Sequence, residues 1–328
     1  MHIRTVERSS CMPRDRGKRY ICAILLLIPM VMLVLLIIYN LENDADDFEE
    51  VQGQKWVPRA LRMRSRYTAG YRRAHGELCQ ARGARVRLVV LVASAPAHAA
   101  ERDAVRATWA RAARPNRVAL AFLLGASPPH LRDAILREDS CHRDLIEARF
   151  VDAYHNLPLK SLSMLEWFAT YCPLAPHLFK TDDDMFVNIE QLLLFIEEHN
   201  TRNTIWGQVL EGVKVVRDER FKYSVPEAEH PGARFPPYAT GHGYLVSGDA
   251  VPALRAAALG ARFVRLEDVF MGVVARRAGV RVAHAAALAL ALQAGGGACA
   301  ARRALVAPAR PHEQYARWAM LQDPDIAC

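Results

Sequence analysis

No Cys-x-x-Cys pair occurs among the seven cysteines of this 328-residue chain, so the spacing typical of a structural zinc site is missing. No Asn-x-Ser/Thr sequon occurs either; Asn156-Leu157-Pro158 comes nearest, and N-glycosylation is not expected. A net charge of +8 raises the question of nucleic acid, but the chain has no basic stripe with interleaved aromatics. Six basic against two acidic groups sit in the first twenty residues, and elsewhere arginines are interspersed with acids. Nucleic acid is excluded as a partner on those grounds.

The most informative absence is of charge between Ile21 and Ile38, ICAILLLIPMVMLVLLII. Such a run suffices for one membrane crossing, which takes about 20 residues, and Pro29 is tolerated inside it. It is longer than a signal-peptide core, and no small-x-small cleavage site follows. Basic residues from Arg4 to Arg19 precede it, whereas acids from Glu42 to Glu50 follow. The positive-inside rule therefore puts the N-terminus in the cytosol and the rest in the lumen. The expected organisation is a cytosolic tail (1–20), a transmembrane signal anchor (21–39), a lumenal stem (40–80) and a lumenal folded domain (81–328). Cys79, Cys141, Cys172, Cys299 and Cys328 would share that oxidising compartment, an odd set with at least one thiol free or paired between chains.

From Val86 the pattern becomes that of a folded domain. VRLVVLVAS is a continuous apolar run suited to a buried parallel strand. A helical stretch (101–113) follows, then RVALAFLLG as a second strand ending at Gly125. Residues 131–139 read as helix, ARFVDA as strand, 159–171 as helix and HLFK as a short strand. IEQLLLFIEEH (189–199) reads as a helix capped by Asn188. This alternation predicts an α/β domain on a largely parallel sheet, with ligands beyond the carboxyl ends of its strands. The Ala-rich stretch from Ala283 to Arg310 shows no repeat and no firm element.

Three segments carry chemistry. Thr181-Asp182-Asp183-Asp184 follows HLFK and so falls at a strand end. Carboxylates there suit a hard Mg²⁺ or Mn²⁺ holding a diphosphate, although a short Asp run is as readily a solvated turn. Glu267-Asp268 could supply a general base that deprotonates an attacking hydroxyl, or simply begin a helix through Val274 to Arg277. Phe235 to Tyr244 places Gly241 and Gly243 beside Tyr238 and Tyr244, suited to close backbone approach and ring stacking on a sugar, or to a turn. Arg102 and Arg106, early in the first helix, could meet phosphates.

Taken in order, these pieces resemble the β1,3-glycosyltransferase family (glycosyltransferase family 31), closest to its β1,3-galactosyltransferase branch. Arg102 to Trp109 is similar to R-x-A-I-R-x-T-W, Phe122 to Gly125 to F-L-L-G, and Asp152 to Lys160 to D-x-Y-x-N-L-T-L-K. Lys180 to Asn188 resembles K-T-D-S-D-x-F-V-N; Pro236 to Tyr244 and Leu266 to Val269 complete the series. The resemblance implies a GT-A-like fold and an inverting transfer from a UDP-sugar to a glycan acceptor on a glycoprotein or glycolipid. It implies a single-pass type II protein of the Golgi membrane, with a homodimer or a partner transferase left open. By motif position it assigns the metal, Mn²⁺ or Mg²⁺, to Asp184 and the catalytic base to Asp268. Arg102, Arg106, Lys160, Asp182 and Asp183 fall on the donor side; Tyr238, Gly241, Gly243, Tyr244 and Glu267 fall around the donor or acceptor pocket. UDP-galactose with a GlcNAc- or GalNAc-ended acceptor is the leading expectation. The alternatives are a β1,3-N-acetylglucosaminyltransferase and a weak or inactive relative acting as a binding protein. One departure bears on activity. The family's V-H-x-x-x-P-x-E has a metal-ligating His where this chain has Ala307, and neither His284 nor His312 is in register with it.

Overall fold

The computed structural model describes residues 61–113, 117–199, 201–288 and 304–325. The chain divides into two units, Met1–Arg59 and Ala60–Cys328, and the described residues belong to the second. The expected membrane anchor and the first part of the stem lie outside the described residues. Among those described, no helix is long and apolar enough to cross a membrane.

The folded unit begins ahead of the expected start at 81. Met63 is fully buried, its amide bonds the Ala261 carbonyl, and the Phe263 amide bonds the Leu61 carbonyl. Strand β1 (Tyr71–Arg73) pairs with a strand of the main sheet. Cys79 forms a disulfide with Cys172, while Cys141 is free and exposed; Cys299 and Cys328 lie outside the described residues. Residues 61–80 are therefore part of the domain. They attach through single buried side chains and backbone bonds, which leave no apolar period in the sequence.

Strand β2 (Leu88–Ala93) is the central strand, and its six side chains are all buried. Leu88, Val90 and Val92 enter one core, and Val89, Leu91 and Ala93 the other, as the two-residue period of a strand requires. Each large apolar side chain so buried favours folding by roughly 1.5–3 kcal/mol relative to exposure. The remaining strands are β3 (Val118–Ala126), β4 (Leu145–Val151), β5 (His177–Asp182), β6 (Met185–Val187), β7 (Thr204–Leu210), β8 (Tyr238–Ser247), β9 (Arg281–His284) and β10 (Val306–Pro308). The main sheet runs β1-β4-β3-β2-β5-β8-β7-β9, and β6 and β10 form a separate antiparallel pair.

The main sheet is mostly parallel, as expected, with antiparallel pairs mixed in. The pairs β4/β3, β3/β2, β2/β5 and β7/β9 are parallel; β1/β4, β5/β8 and β8/β7 are antiparallel. Antiparallel β8 was missed because its glycines, Gly241 and Gly243, read as a turn.

The helices are α1 (Ala99–Ala107), α2 (Arg132–His142), α3 (Leu157–Tyr171), α4 (Ile189–Glu198), α5 (Val251–Gly260), α6 (Glu267–Ala278) and α7 (Pro311–Gln322). Side chains of α3, α5 and α6 form one core with the sheet; those of α1, α4 and α7 join the other. The expected helix 101–113 stops at Ala107, because Thr108 leaves helical geometry and its hydroxyl bonds back to the Ala104 carbonyl. Asn188 caps α4 as expected, its side chain accepting from the Gln191 amide at 3.2 Å. In the Ala-rich stretch β9, a short turn at 286–288 and β10 are ordered elements; 289–303 lies outside the described residues.

Two packing details position the site. Gly272 lets α6 lie directly on β8, since a Cβ there would come within 2.6 Å of the Tyr238 Cβ and 2.7 Å of the Pro237 carbonyl. The acidic turn after β5 is held on both sides: the Asp183 amide bonds the Ala93 carbonyl of β2, and the Asp184 carbonyl accepts from the Ala309 amide.

Candidate active site

A cleft of about 660 Å³ opens where β5 ends, between β8, the first turn of α6 and the long connection from β7 to β8. Asp182, Asp184, Glu267 and Asp268 all line it, although 80 residues or more separate the two pairs in sequence. Tyr238 and Gly241 line it too. Tyr244 stands behind them with its hydroxyl donating to Glu267 Oε1 at 2.8 Å. Gly243 faces away, against Phe179 and Val306.

The electrostatics of this cleft are those of crowded acids. Burial first, and then the neighbouring Glu267, push the Asp268 carboxyl up to about 6, with its Oδ1 accepting from the Val269 amide at 2.8 Å. Asp184 is open to the cleft yet surrounded by its walls; burial, then Asp182 and Asp183, raise its carboxyl. Burial and then Asp268 push the Tyr238 phenol up to about 12. Both raised carboxyls can thus accept charge relief from a ligand that brings a cation or a proton.

Four residues expected on the donor side are held by protein partners and do not line the cleft. Arg102 is fully buried, makes a bidentate pair with Glu138 at 2.6 Å for each contact, and bonds the Ala95 carbonyl at 2.6 Å. Arg106 pairs with Asp144 and Glu138, both at 2.7 Å, and with Asp103 at 2.9 Å. The Lys160 ammonium bonds the Ser94 carbonyl at 2.6 Å and Asp152 at 3.0 Å. The Asp183 carboxylate turns to His98, Oδ2 to Nδ1 2.9 Å, and its carbonyl accepts from Gln314 Nε2 at 3.0 Å. Arg102 and Lys160 tie down the loop after β2, through the carbonyls of Ala95 and Ser94, and His98 and Gln314 hold Asp183 in the acidic turn.

The residues that sequence reasoning missed are Lys180, His242, Arg265 and a rim formed by Tyr154, Tyr223 and Phe235. Lys180 precedes Asp182 by two residues on a strand, so period two alone places both on one face. His242 accepts from the Thr240 hydroxyl at 2.9 Å and donates Nε2–H to the Leu288 carbonyl at 3.0 Å; burial lowers it, consistent with a neutral ring. At the rim Lys222 lies over the Tyr154 ring at 4.5 Å. Tyr154 belongs to the D-x-Y-x-N-L segment and Phe235 opens the Gly-rich one, but nothing local in the sequence shows that they meet Tyr223 of the long β7–β8 connection.

A family model described as Galactosyltransferase matches residues 100–286, which covers more than half of the chain and every acid of the cleft. The chain belongs to the galactosyltransferase family. It is 36% identical over 233 residues to beta-1,3-galactosyltransferase 4 of Mus musculus, across 62% of this chain and 63% of that protein. It is 36% identical over 194 residues to beta-1,3-galactosyltransferase 2 of Homo sapiens, across 57% of this chain and 46% of that protein. The chain thus spans less than two thirds of the length of either relative. Among solved structures, the galactosyltransferase LgtC in complex with donor and acceptor sugar analogs aligns over 73% of this chain at a TM-score of 0.36 and 11% identity, too distant to carry an argument.

This galactosyltransferase-family chain also departs from the expected metal centre. Among the described residues no group of three or more His, Cys, Asp or Glu side chains could hold a metal ion. β10 does reach the acidic turn, but Ala307 stands opposite Phe186 and is buried. His284 accepts from the Val209 amide at 3.2 Å and does not line the cleft. A cation caged by protein alone does not fit. A Mg²⁺-like ion held by Asp184 and otherwise by phosphate and water does fit, with Asp182 beside it on the nucleotide side.

Proposed function

We propose that the chain is an inverting β1,3-galactosyltransferase acting from UDP-galactose on a GlcNAc- or GalNAc-ended glycan. The observation that carries the reading is the meeting of Asp182, Asp184, Glu267 and Asp268 in one cleft of a galactosyltransferase-family domain. The bound cation, Mn²⁺ or Mg²⁺, would neutralise the diphosphate as it leaves; Asp184 would hold it, with Asp182 towards the nucleotide. Asp268 takes the proton from the acceptor hydroxyl while that oxygen attacks the anomeric carbon. Its raised carboxyl suits a base working near neutral pH, since proton affinity is kept without loss of the ionised form. Tyr238 and the rim of Tyr154 and Tyr223 offer ring faces to the sugars.

Because Ala307 brings no imidazole, the cation depends more heavily on the diphosphate than a three-ligand site would. We place the protein in the Golgi membrane as a single-pass type II chain with this domain in the lumen. The uncharged run 21–38, its basic and then acidic flanks and the Cys79–Cys172 disulfide support that placement.

The test is transfer by the full chain with Mn²⁺, across a panel of UDP-sugars and β-GlcNAc, GalNAc and Gal acceptors. Galactose transfer that stops with EDTA is the expected result. Transfer only from UDP-N-acetylglucosamine would change the donor, and turnover with no donor by a folded chain would overturn the reading. Protease added to sealed vesicles should spare the folded domain; its digestion would contradict the topology.

A further inference from the structure

Lys180 takes no part in the proposed chemistry, yet three walls of the cleft meet at its ammonium. It leaves β5 on the same face as Asp182, and Nζ lies 2.7 Å from Asp182 Oδ1. The Gly241 carbonyl of β8 is 2.5 Å away, and Glu267 Oε2 in the first turn of α6 is 3.7 Å away. The ammonium thus has two hydrogen-bond acceptors, Asp182 and the Gly241 carbonyl, and one longer ion-pair partner, Glu267, from three separate chain segments. Glu267 is itself fixed, since Oε1 accepts from the Ser161 hydroxyl of α3 at 2.5 Å and from Tyr244. Gly241 leaves the room required: a Cβ would stand 3.2 Å from Glu267 Oε2 and 3.7 Å from Nζ.

Lys180 is almost wholly buried, and a buried ion persists only where its partners are well placed. Without it, Asp182 and Glu267 would face each other across the cleft floor with no charge between them. We infer that Lys180 is a positioning residue, which ties the nucleotide-side carboxylate Asp182 to the helix carrying Asp268 and so keeps donor and base at one spacing. The inference rests on the transferase reading above. It assigns Lys180 no contact with substrate; its effect passes through Asp182 and Glu267.

The test compares kcat, donor KM and UDP affinity for the full chain, Lys180→Met, Glu267→Gln and the double variant. Lys180→Met should lower kcat about 100-fold, the scale of a misplacement of about 1 Å, with a smaller change in KM. Glu267→Gln keeps an acceptor for Ser161 and Tyr244 and should lower kcat roughly 10-fold, with the double variant no worse than Lys180→Met alone because both act through one contact. Multiplying losses in the double variant, or a kcat for Lys180→Met within about threefold of wild type, overturn the role. Should Lys180→Met fail to fold, Glu267→Gln decides, and an unchanged kcat overturns it. A wild-type chain that binds UDP but transfers no sugar removes the transferase reading and this role together. An active wild type with indifferent variants removes the role alone.

Discussion

Two groups of charged residues lie on either side of the acidic turn, and they differ in how far the protein itself satisfies them. Behind the turn, Arg102, Arg106 and Lys160 meet Glu138, Asp144 and Asp152 in close pairs, with the carbonyls of Ser94 and Ala95 taking the remaining donors. In the cleft, four carboxylates gather around the buried Lys180, and two of them are raised by burial and then by their own acidic neighbours, Asp184 by Asp182 and Asp183 and Asp268 by Glu267. The basic group is a finished structure. The acidic group is left open to a ligand, and under the proposed function a cation on an anionic diphosphate would supply the missing charge. Family motifs span both groups, so motif membership alone does not separate residues that hold the fold from residues that touch the substrate.

The sharpest way to break this contrast is Asp268→Asn, which should reduce turnover by about 100- to 10,000-fold, the usual contribution of a general base, while leaving UDP affinity intact. Steady-state kinetics beside calorimetry would check it, and near-normal turnover would remove Asp268 as the base. On the structural side, Cys172→Ser opens a link across 93 residues and should cost about 4 kcal/mol of stability, read as a lower urea midpoint. Arg102→Ala removes two of the bonds to Glu138, leaves it only Arg106, and should destabilise by about 3–5 kcal/mol, with the surviving folded fraction still binding UDP. Lost UDP binding without lost stability would return Arg102 to the donor site.

The smallest effect is of pH. A carboxyl raised from its ordinary value of 3.8 to about 6 is protonated, and useless as a base, below that pH. The rate should therefore fall up to tenfold per unit below about 6 and level off above it. The same shift has the opposite sign for stability: the folded state holds the proton more tightly. Its contribution is complete below about 4 and lost as pH rises through about 6. A pH–rate profile flat from 5 to 8 would deny Asp268 its role.

Much of the first half of the sheet was legible. β2 and β3 are uninterrupted apolar runs, and α4 carries its own cap at Asn188, so local pattern and tertiary fold agree there. The second half was not, because β8 runs through two glycines, the apolar run of β7 is broken by Gly207 and Gln208, and β9 is a four-residue strand at the edge. Asp182, Asp184 and Asp268 were recognisable from chemistry and motif order. Lys180 could have been found from its spacing to Asp182. Tyr154 and His242 lie inside recognised segments that give them no role, and Tyr223 could not have been found, since the fold alone brings it to the cleft. The pairing of Arg102 and Arg106 was not legible for the converse reason: their partners Glu138 and Asp144 are remote in sequence.

The most direct test of which group meets the diphosphate is UDP binding by the full chain, with Mn²⁺ or EDTA, in wild type, Asp184→Ala and Arg106→Ala. The account predicts Mn²⁺-dependent binding that Asp184→Ala weakens at least tenfold, as expected for loss of a metal ligand, and that folded Arg106→Ala retains. Binding indifferent to EDTA and to Asp184→Ala, but lost in Arg106→Ala, would contradict it.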